Sequence, residues 1–377
     1  MDVAVILTYR CNSRCSMCNI WQNPTLPREE VSLEILDKIP NGIDYLNLTG
    51  GEPTLRKDLV EIADILYPKA MKLEINSNGL HPERIEPLIR KYPDMKVRFS
   101  LEGMEATNNK IRGEDNGFQT KVKGLLRLKE LGGTDLGFAL TIQDDNVEDV
   151  VPIFKLAQKH NFELSTSSLH NGFQFHKSDN VPYNRLKVAK CIEDLIAAML
   201  KTYDVKLWFR AYMNLGLIAK VLGHKRLLRC TAGTSFAFID PWSDVYACNV
   251  RPDVKIGNLK EQSWEELFSG KAIEDVREKV YNCQQNCWMV GSAKTAMRHS
   301  KYAKLPKWTP FFWVIKNKIR AMFGWGIPFD RYVDYSAVYR DPMVPKRMYF
   351  LKHKEVKPQL HTKDDAYYER FGEFYNR

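Results

Sequence analysis

Short apolar runs alternate with helix-patterned segments through the first 170 residues of the chain, and this alternation restricts the fold more than any other feature. Residues 3–9, 45–48, 72–75, 97–101, 136–142 and 162–165 read as strands. Between them SLEILDKI, LVEIADILY, RIEPLIRKY, TKVKGLLRLKEL and VEDVVPIFKLAQKH carry apolar residues at helical spacing. About six βα units in succession build a parallel sheet, open or curled into a barrel, with functional groups at the carboxyl ends of its strands. Four loops at such ends are chemically loaded: RCNSRCSMC after the first strand, TGGEP after the second, NSNG after the third and SLEG closing the fourth. Each alone reads as a turn or a helix cap. Gathered on one rim, they mark a site.

The chain has 377 residues, 44% hydrophobic and 27% charged, enough for one large core with appendages and unlike a disordered or low-complexity sequence. Its start, MDVAVILTYRC, has neither the basic region nor the cleavage site of a secretion signal, and no run approaches the roughly 20 apolar residues of a membrane span. A cytoplasmic protein is expected. In a reducing compartment eight cysteines do not form a disulfide framework. Seven of them cluster, at positions 11, 15 and 18 and again at 230, 248, 283 and 287, which points to metal. Cys191, in VAKCIEDLIAAML, reads as small apolar filler on a buried helix face.

Cys11, Cys15 and Cys18 are one thiolate short of the set that a structural zinc or a closed 4Fe-4S cluster takes. A cluster held by three cysteines leaves one iron open to a ligand from outside the protein, and an electron can pass from it into a sulfonium bound there.

Cys11-x3-Cys15-x2-Cys18, with Gly50-Gly51-Glu52-Pro53 at the next strand end, resembles the radical S-adenosylmethionine (radical SAM) superfamily over residues 3–170. The resemblance implies a partial (βα)6 TIM-like barrel of α/β class. It also implies a 4Fe-4S cluster on the three cysteines and reductive cleavage of S-adenosylmethionine to methionine and a 5′-deoxyadenosyl radical. The residue before the third cysteine, usually aromatic in the family, is Met17. The family implies that the glycine loop holds the methionyl amine: Gly50 and Gly51 let the backbone approach the cofactor, and Glu52 offers a carboxylate to its ammonium. Ser100 and Glu102 resemble the segment that holds the ribose hydroxyls, and Asn76 and Asn78 either line the same cavity or build their turn. Arg112, in NNKIRG, either anchors the loop or faces the cofactor carboxylate.

Farther on, SFAFID and DVYAC alternate around PWSD as a β-hairpin, with Cys230 and Cys248 at its two ends, and a helical stretch leads to Cys283-x3-Cys287. A structural zinc with four thiolates is one reading of this set. The segment resembles the SPASM/twitch extension of radical SAM enzymes, although the family's hairpin glycine is Ser243 here and the cysteines fall short of the full seven. The resemblance therefore implies a single auxiliary 4Fe-4S cluster held by all four, acting as an electron relay or holding the domain together. The expected organisation is a barrel over residues 1–215, a small α+β auxiliary-cluster domain over 216–290 and a basic, aromatic-rich extension over 291–377.

An auxiliary relay suits an oxidoreductase that removes two electrons from a small molecule, sugar-like or aminocyclitol-like. A ribosomal-peptide maturase is the alternative within the superfamily, and a zinc-bound structural or nucleic-acid-binding protein the alternative outside it. An external electron donor such as flavodoxin or ferredoxin is implied. The formal charge of +10 sits entirely beyond residue 290, with 18 Lys+Arg against 8 Asp+Glu, so the body is neutral and no nucleic-acid partner is expected. Residues 305–329 hold three Trp, four Phe and no acid. On a helix, Phe312, Ile315, Ile319, Met322 and Phe323 share one face, which suits either peripheral membrane contact or docking as a lid over the barrel.

Overall fold

The computed structural model describes residues 1–298 and 309–340. Six parallel strands lie side by side in chain order: β1 (Asp2–Ile6), β2 (Tyr45–Thr49), β3 (Leu73–Ser77), β4 (Lys96–Ser100), β5 (Asp135–Ile142) and β6 (Glu163–Ser168). Helices α1 (Leu33–Asp37), α2 (Leu59–Leu66), α3 (Glu86–Lys91), α4 (Glu105–Arg112), α5 (Gly117–Glu130) and α6 (Val150–His160) occupy the crossovers. Each longer crossover helix buries the stripe its periodicity marks, as with Leu59, Ile62, Ala63 and Leu66 of α2 or Ile153, Phe154 and Ala157 of α6. Side chains from all six strands line one cavity, so the sheet is curled into a partial barrel around a lumen. Cys191 is buried on α7 (Arg185–Lys201), which packs against α8 (Val205–Leu222).

The hairpin expected around PWSD is present as β7 (Phe236–Ile239) and β8 (Asp244–Tyr246), followed by antiparallel β9 (Lys255–Asn258). It is not a separate sheet. β7 pairs in parallel with β1, Asp2 opposite Phe236, and extends the barrel wall into nine strands of order β6-β5-β4-β3-β2-β1-β7-β8-β9. Covering the free side of β1 satisfies its backbone groups and attaches the second cysteine region to the barrel. In the hairpin turn Ser243 sits at φ +75° with its hydroxyl buried and unpartnered, a conformation that glycine takes without strain. Next come α9 (Trp264–Leu267), α10 (Gly270–Tyr281), α11 (Val290–Arg298) and α12 (Thr309–Met322).

α12 docks against α7 and α8, but not by the face its apolar residues mark. Trp313, Val314, Asn317 and Lys318 are the buried side. The Lys318 ammonium donates to Leu200 O at 2.9 Å and Thr202 O at 2.8 Å, capping the carbonyl end of α7. The helix therefore docks by the Lys318 hydrogen bonds and by Trp313 and Val314, and Phe312, Ile315, Ile319, Met322 and Phe323 stay exposed. Residues 305–308 and the polar stretch beyond 340 lie outside the described residues. Among the described residues no helix is long and apolar enough to cross a membrane.

Candidate active site

The chain leaves β1 and carries Cys11, Cys15 and Cys18 across the carboxyl ends of the strands. The loop is held from three sides. Arg10 places a two-pronged bond on the buried Glu30 carboxylate at 2.7 and 2.9 Å, and Thr8 donates to the same group. Arg14 N and Ser16 N donate to Arg112 O at 3.0 Å and Ile111 O at 2.9 Å, and Asn180 Nδ2 donates to Met17 O at 2.9 Å. Cys18 N donates to Cys15 O at 3.2 Å, so the two-residue interval is a tight turn. Burial pushes the Cys11 thiol up to about 12 and raises Cys15 and Cys18 too, so a bound cation is needed to hold all three as thiolates.

Gly50 and Gly51 form the edge of the same cavity, but their missing side chains make room for protein. A Cβ on Gly51 would lie 2.2 Å from Arg10 O, and one on Gly50 2.6 Å from Thr8 O. The close approach permits Gly51 N to bond Thr8 O at 2.7 Å and Glu52 N to bond Arg10 O at 2.8 Å. The GGE segment is thus zipped to the root of the cysteine loop. The Glu52 side chain points beneath the cavity: Oε1 accepts from Thr54 N, Thr54 Oγ1 and Ser77 Oγ at 2.9, 2.7 and 2.9 Å, and Oε2 from Asn78 N at 2.6 Å. It ties the ends of β2 and β3 together. Asn78 in turn donates to Asn12 Oδ1 at 2.6 Å, while Asn76 donates to Asn47 and Glu74.

Glu102 and Arg112 meet in the cavity wall, Nη1 to Oε1 at 3.0 Å, with Ser100 beside them and Thr141 N donating to Glu102 Oε2 at 2.7 Å. Behind them Glu114 accepts from Arg112 Nε at 3.1 Å, from Ser13 and from Lys121. Burial opposes the Arg112 charge, but Cys15, Glu114 and Glu102 hold it firmly protonated. Of the two roles open to Arg112, the structure supplies the contacts of an anchor. Glu114 and Lys121 were not legible as site residues, because the cluster joins the cysteine loop, at Ser13, to the end of α4 and to α5.

Sequence reading also missed His170. It lines the cysteine cavity, the lumen and an open cleft toward the second cysteine set. Nδ1 lies 3.0 Å from Ser168 O, and Nε2 is buried with no partner. Burial, reinforced by Lys220, pulls the imidazole down to about 3, so it stays neutral and Nε2 is an acceptor. Its only signal was a lone His in LHNG at the end of β6.

Cys230, Cys248, Cys283 and Cys287 line one cavity of about 250 Å³, smaller than the open cleft beside it and comparable with the cavity of about 190 Å³ around the first three. Cys248 follows β8 and Cys283 follows α10, so the hairpin and the helix end converge as their spacing predicts. Arg226 Nη1 lies 3.3 Å from Cys287 Sγ with its guanidinium over the Trp288 ring, and Arg251, held by Asp253, lies beside Cys283. Among the described residues no three His, Cys, Asp or Glu side chains converge tightly enough to share a single metal ion. Four thiols lining one cavity suit an iron-sulfur cluster that takes all four of its ligands from the protein.

A partial barrel with three thiols over its rim and four more on an added hairpin defines an iron-sulfur protein of radical SAM architecture. Residues 5–157 match the radical SAM superfamily and residues 230–288 the SPASM iron-sulfur cluster-binding domain, together more than half of the chain. The chain belongs to the radical SAM superfamily and carries a SPASM domain, with S-adenosylmethionine, a 4Fe-4S cluster and auxiliary iron-sulfur binding as its cofactors. It is 33% identical to Fe-coproporphyrin III synthase of Methanosarcina barkeri over 41% of this chain and 40% of that protein. It is 28% identical to the mycofactocin maturase of Mycolicibacterium smegmatis over 64% of this chain and 62% of that protein. The chain thus spans less than two thirds of either relative. Its fold is similar to that of Streptococcus suis SuiB bound to S-adenosylmethionine, with TM-score 0.54 and 15% identity over 73% of this chain and 67% of that one.

Proposed function

We propose that the chain is a radical SAM enzyme in which Cys11, Cys15 and Cys18 hold the catalytic cluster and a substrate in the lumen loses a hydrogen atom. The observation that carries this reading is the shared wall: Thr49, Asn76, Thr141 and His170 line both the cysteine cavity and the lumen of about 840 Å³. When bound, the first cluster and S-adenosylmethionine supply the electron and the 5′-deoxyadenosyl radical that takes the hydrogen atom.

The protein's part is to bind and orient. The backbone edge at Gly50 and Gly51 offers carbonyls to the methionyl ammonium. Because Glu52 is turned toward Thr54, Ser77 and Asn78, its part in that recognition is to fix the edge. Glu102, with Arg112 holding one oxygen, presents a carboxylate rim to the ribose hydroxyls beside Ser100, and Asn78 holds the Asn12 end of the cysteine loop. Met17 and Trp21 give the same cavity apolar wall for the adenine. His170, held neutral by burial, is part of the wall between the cysteine cavity and the lumen.

Cys230, Cys248, Cys283 and Cys287 would hold one auxiliary cluster as an electron relay, giving a net oxidation or another modification of the substrate, with a flavodoxin or ferredoxin as external donor. The largely apolar lumen does not suit a sugar or aminocyclitol. A maturase acting on a ribosomal peptide is the second reading, favoured by the similarity to mycofactocin maturase and by the polar cleft of about 1360 Å³ between the barrel rim and the second cysteine set. Peripheral contact with a membrane through α12 belongs to the same proposal and rests on its exposed apolar stripe. Anaerobic reconstitution with a reductant and S-adenosylmethionine tests the central reading. Deoxyadenosine should form in the native protein and not in Cys15→Ala; its formation in Cys15→Ala would refute the assignment.

A further inference from the structure

The lumen extends well beyond the wall it shares with the cysteine cavity, and its two ends differ in chemistry. Its upper end is the wall shared with the cysteine cavity. Its lower end lies one strand length away, about 16 Å for five residues, among Asp2, Tyr45 and Lys96 at the starts of their strands. Between the two the wall is mainly apolar, with Ile6, Phe209, Met213, Phe236 and Phe238. A cavity of about 840 Å³ with this lining is the size of a small-molecule site.

The cations of the lower end are matched within the protein, with one exception. Arg298 pairs with Asp2, Lys96 with Asp135 at 3.2 Å, and Lys206 and Arg210 with Glu163. Glu74 accepts from Tyr45, Asn47 and Asn76. Lys294, one turn before Arg298 on α11, makes no ion pair within 4 Å among the described residues; the carboxylates that act on it, Asp2 and Glu74, do so from farther off, and Asp2 is already paired with Arg298. Its ammonium lies 3.2 Å from the centre of the Tyr45 ring. Burial brings it down to about 8, which leaves it charged at neutral pH. An aromatic face stabilises a cation only in part, and with Asp2 taken by Arg298 and Glu74 by three donors the ammonium lacks an anion in direct contact. Arg298 and Phe311, both more than a third exposed, border this end and give a ligand's polar group a route to solvent.

We propose that the lumen binds an elongated apolar molecule ending in an anionic group, carboxylate or phosphate, with the anion on Lys294 and the apolar body reaching toward the cysteine cavity. Only the choice of reacting end rests on the radical SAM reading; binding itself does not require it. Calorimetric titration of the full chain with dodecanoate and dodecyl phosphate below their micelle concentrations, and with dodecanol below its solubility limit, tests the proposal without any turnover. One site per chain should take one or both anions about tenfold or more tightly than the alcohol, the effect of a single charge-assisted contact. The preferred anion identifies the carboxylate or the phosphate class. Lys294→Met should bring the anions and the alcohol within about twofold of each other, and Lys294→Arg should keep the preference. Ile319→Asp, on the exposed stripe of α12, should bind as the native protein does, which separates the lumen from that surface. Equal binding of acids and alcohol by the native chain, an undiminished preference in Lys294→Met, loss of binding in Ile319→Asp, or no binding of any of the three overturns the proposal. Deoxyadenosine formation, measured separately, reports on the radical reading alone.

Discussion

At the scale of single residues, partners decide chemistry that residue type leaves open. Glu52 and Glu102 are both buried glutamates at strand ends, yet one fastens two loops beneath the cavity and the other forms its wall. His170 offers the sharpest test of the site's electrostatics. The unfolded chain takes up a proton near pH 6.5 and the folded imidazole only near 3, so this group's contribution to stability is complete above 6.5 and is lost as pH falls between the two. Its ring-nitrogen chemical shifts should accordingly stay those of a neutral imidazole down to about pH 4. A titration near 6.5 would place His170 in solvent. Ser243 tests the hairpin. Ser243→Gly relieves a left-handed backbone and removes a buried unpartnered hydroxyl, so it should stabilise the protein by up to about 1 kcal/mol, a rise of roughly 1 to 3 °C in melting temperature.

At the scale of elements, the cysteine loop depends on the GGE strand end as much as on its own residues. Gly51→Ala places a methyl against Arg10 O, and the backbone bonds between the two segments cannot form around it. The substitution should cost about 1 to 3 kcal/mol, and iron bound by the first site should fall while the auxiliary site is kept. Iron analysis alongside a Cys283→Ala/Cys287→Ala double variant measures this, because the double variant should lose the complementary half of about eight irons. Arg226 and Arg251 place positive charge beside auxiliary sulfurs, which favours the reduced cluster. Arg226→Met should therefore shift the auxiliary potential to a more negative value in a spectroscopic redox titration. An unchanged potential would leave Arg226 as a packing residue over Trp288.

At the scale of the whole molecule, α12 divides its surface in an unusual way. Its polar and aromatic side docks on α7 and α8, leaving Phe312 at 64% and Phe323 at 66% exposure on the other. Lys316 is exposed beside this stripe and the nearest acid described after it is Asp330. If that face meets a membrane, the native chain should sediment with vesicles containing anionic lipid, less with neutral vesicles, and progressively less as salt screens the lysines and arginines. Phe312→Asp/Ile319→Asp should abolish the effect. Failure of the native chain to sediment at low salt removes the membrane reading and leaves the stripe to a protein partner or to chain beyond residue 340.

The six-strand barrel, the rim that carries the cysteines and the hairpin of the second set were all legible in the sequence, because period-2 and period-3.6 patterns and short loop spacings are local and survive any tertiary arrangement. So was the amphipathic character of α12. What the tertiary structure alone decided were the choices between equivalent local solutions. β7 lies on β1 because that edge needed a partner, and α12 turns its apolar face outward because Lys318 finds the carbonyl end of α7 and Asn317 is buried beside Trp313. Glu114, Lys121, His170, Arg226 and Lys294 acquire their roles from contacts between segments far apart in the chain. No spacing within the sequence encodes such contacts, since burial and charge pairing exist only once the chain has closed on itself.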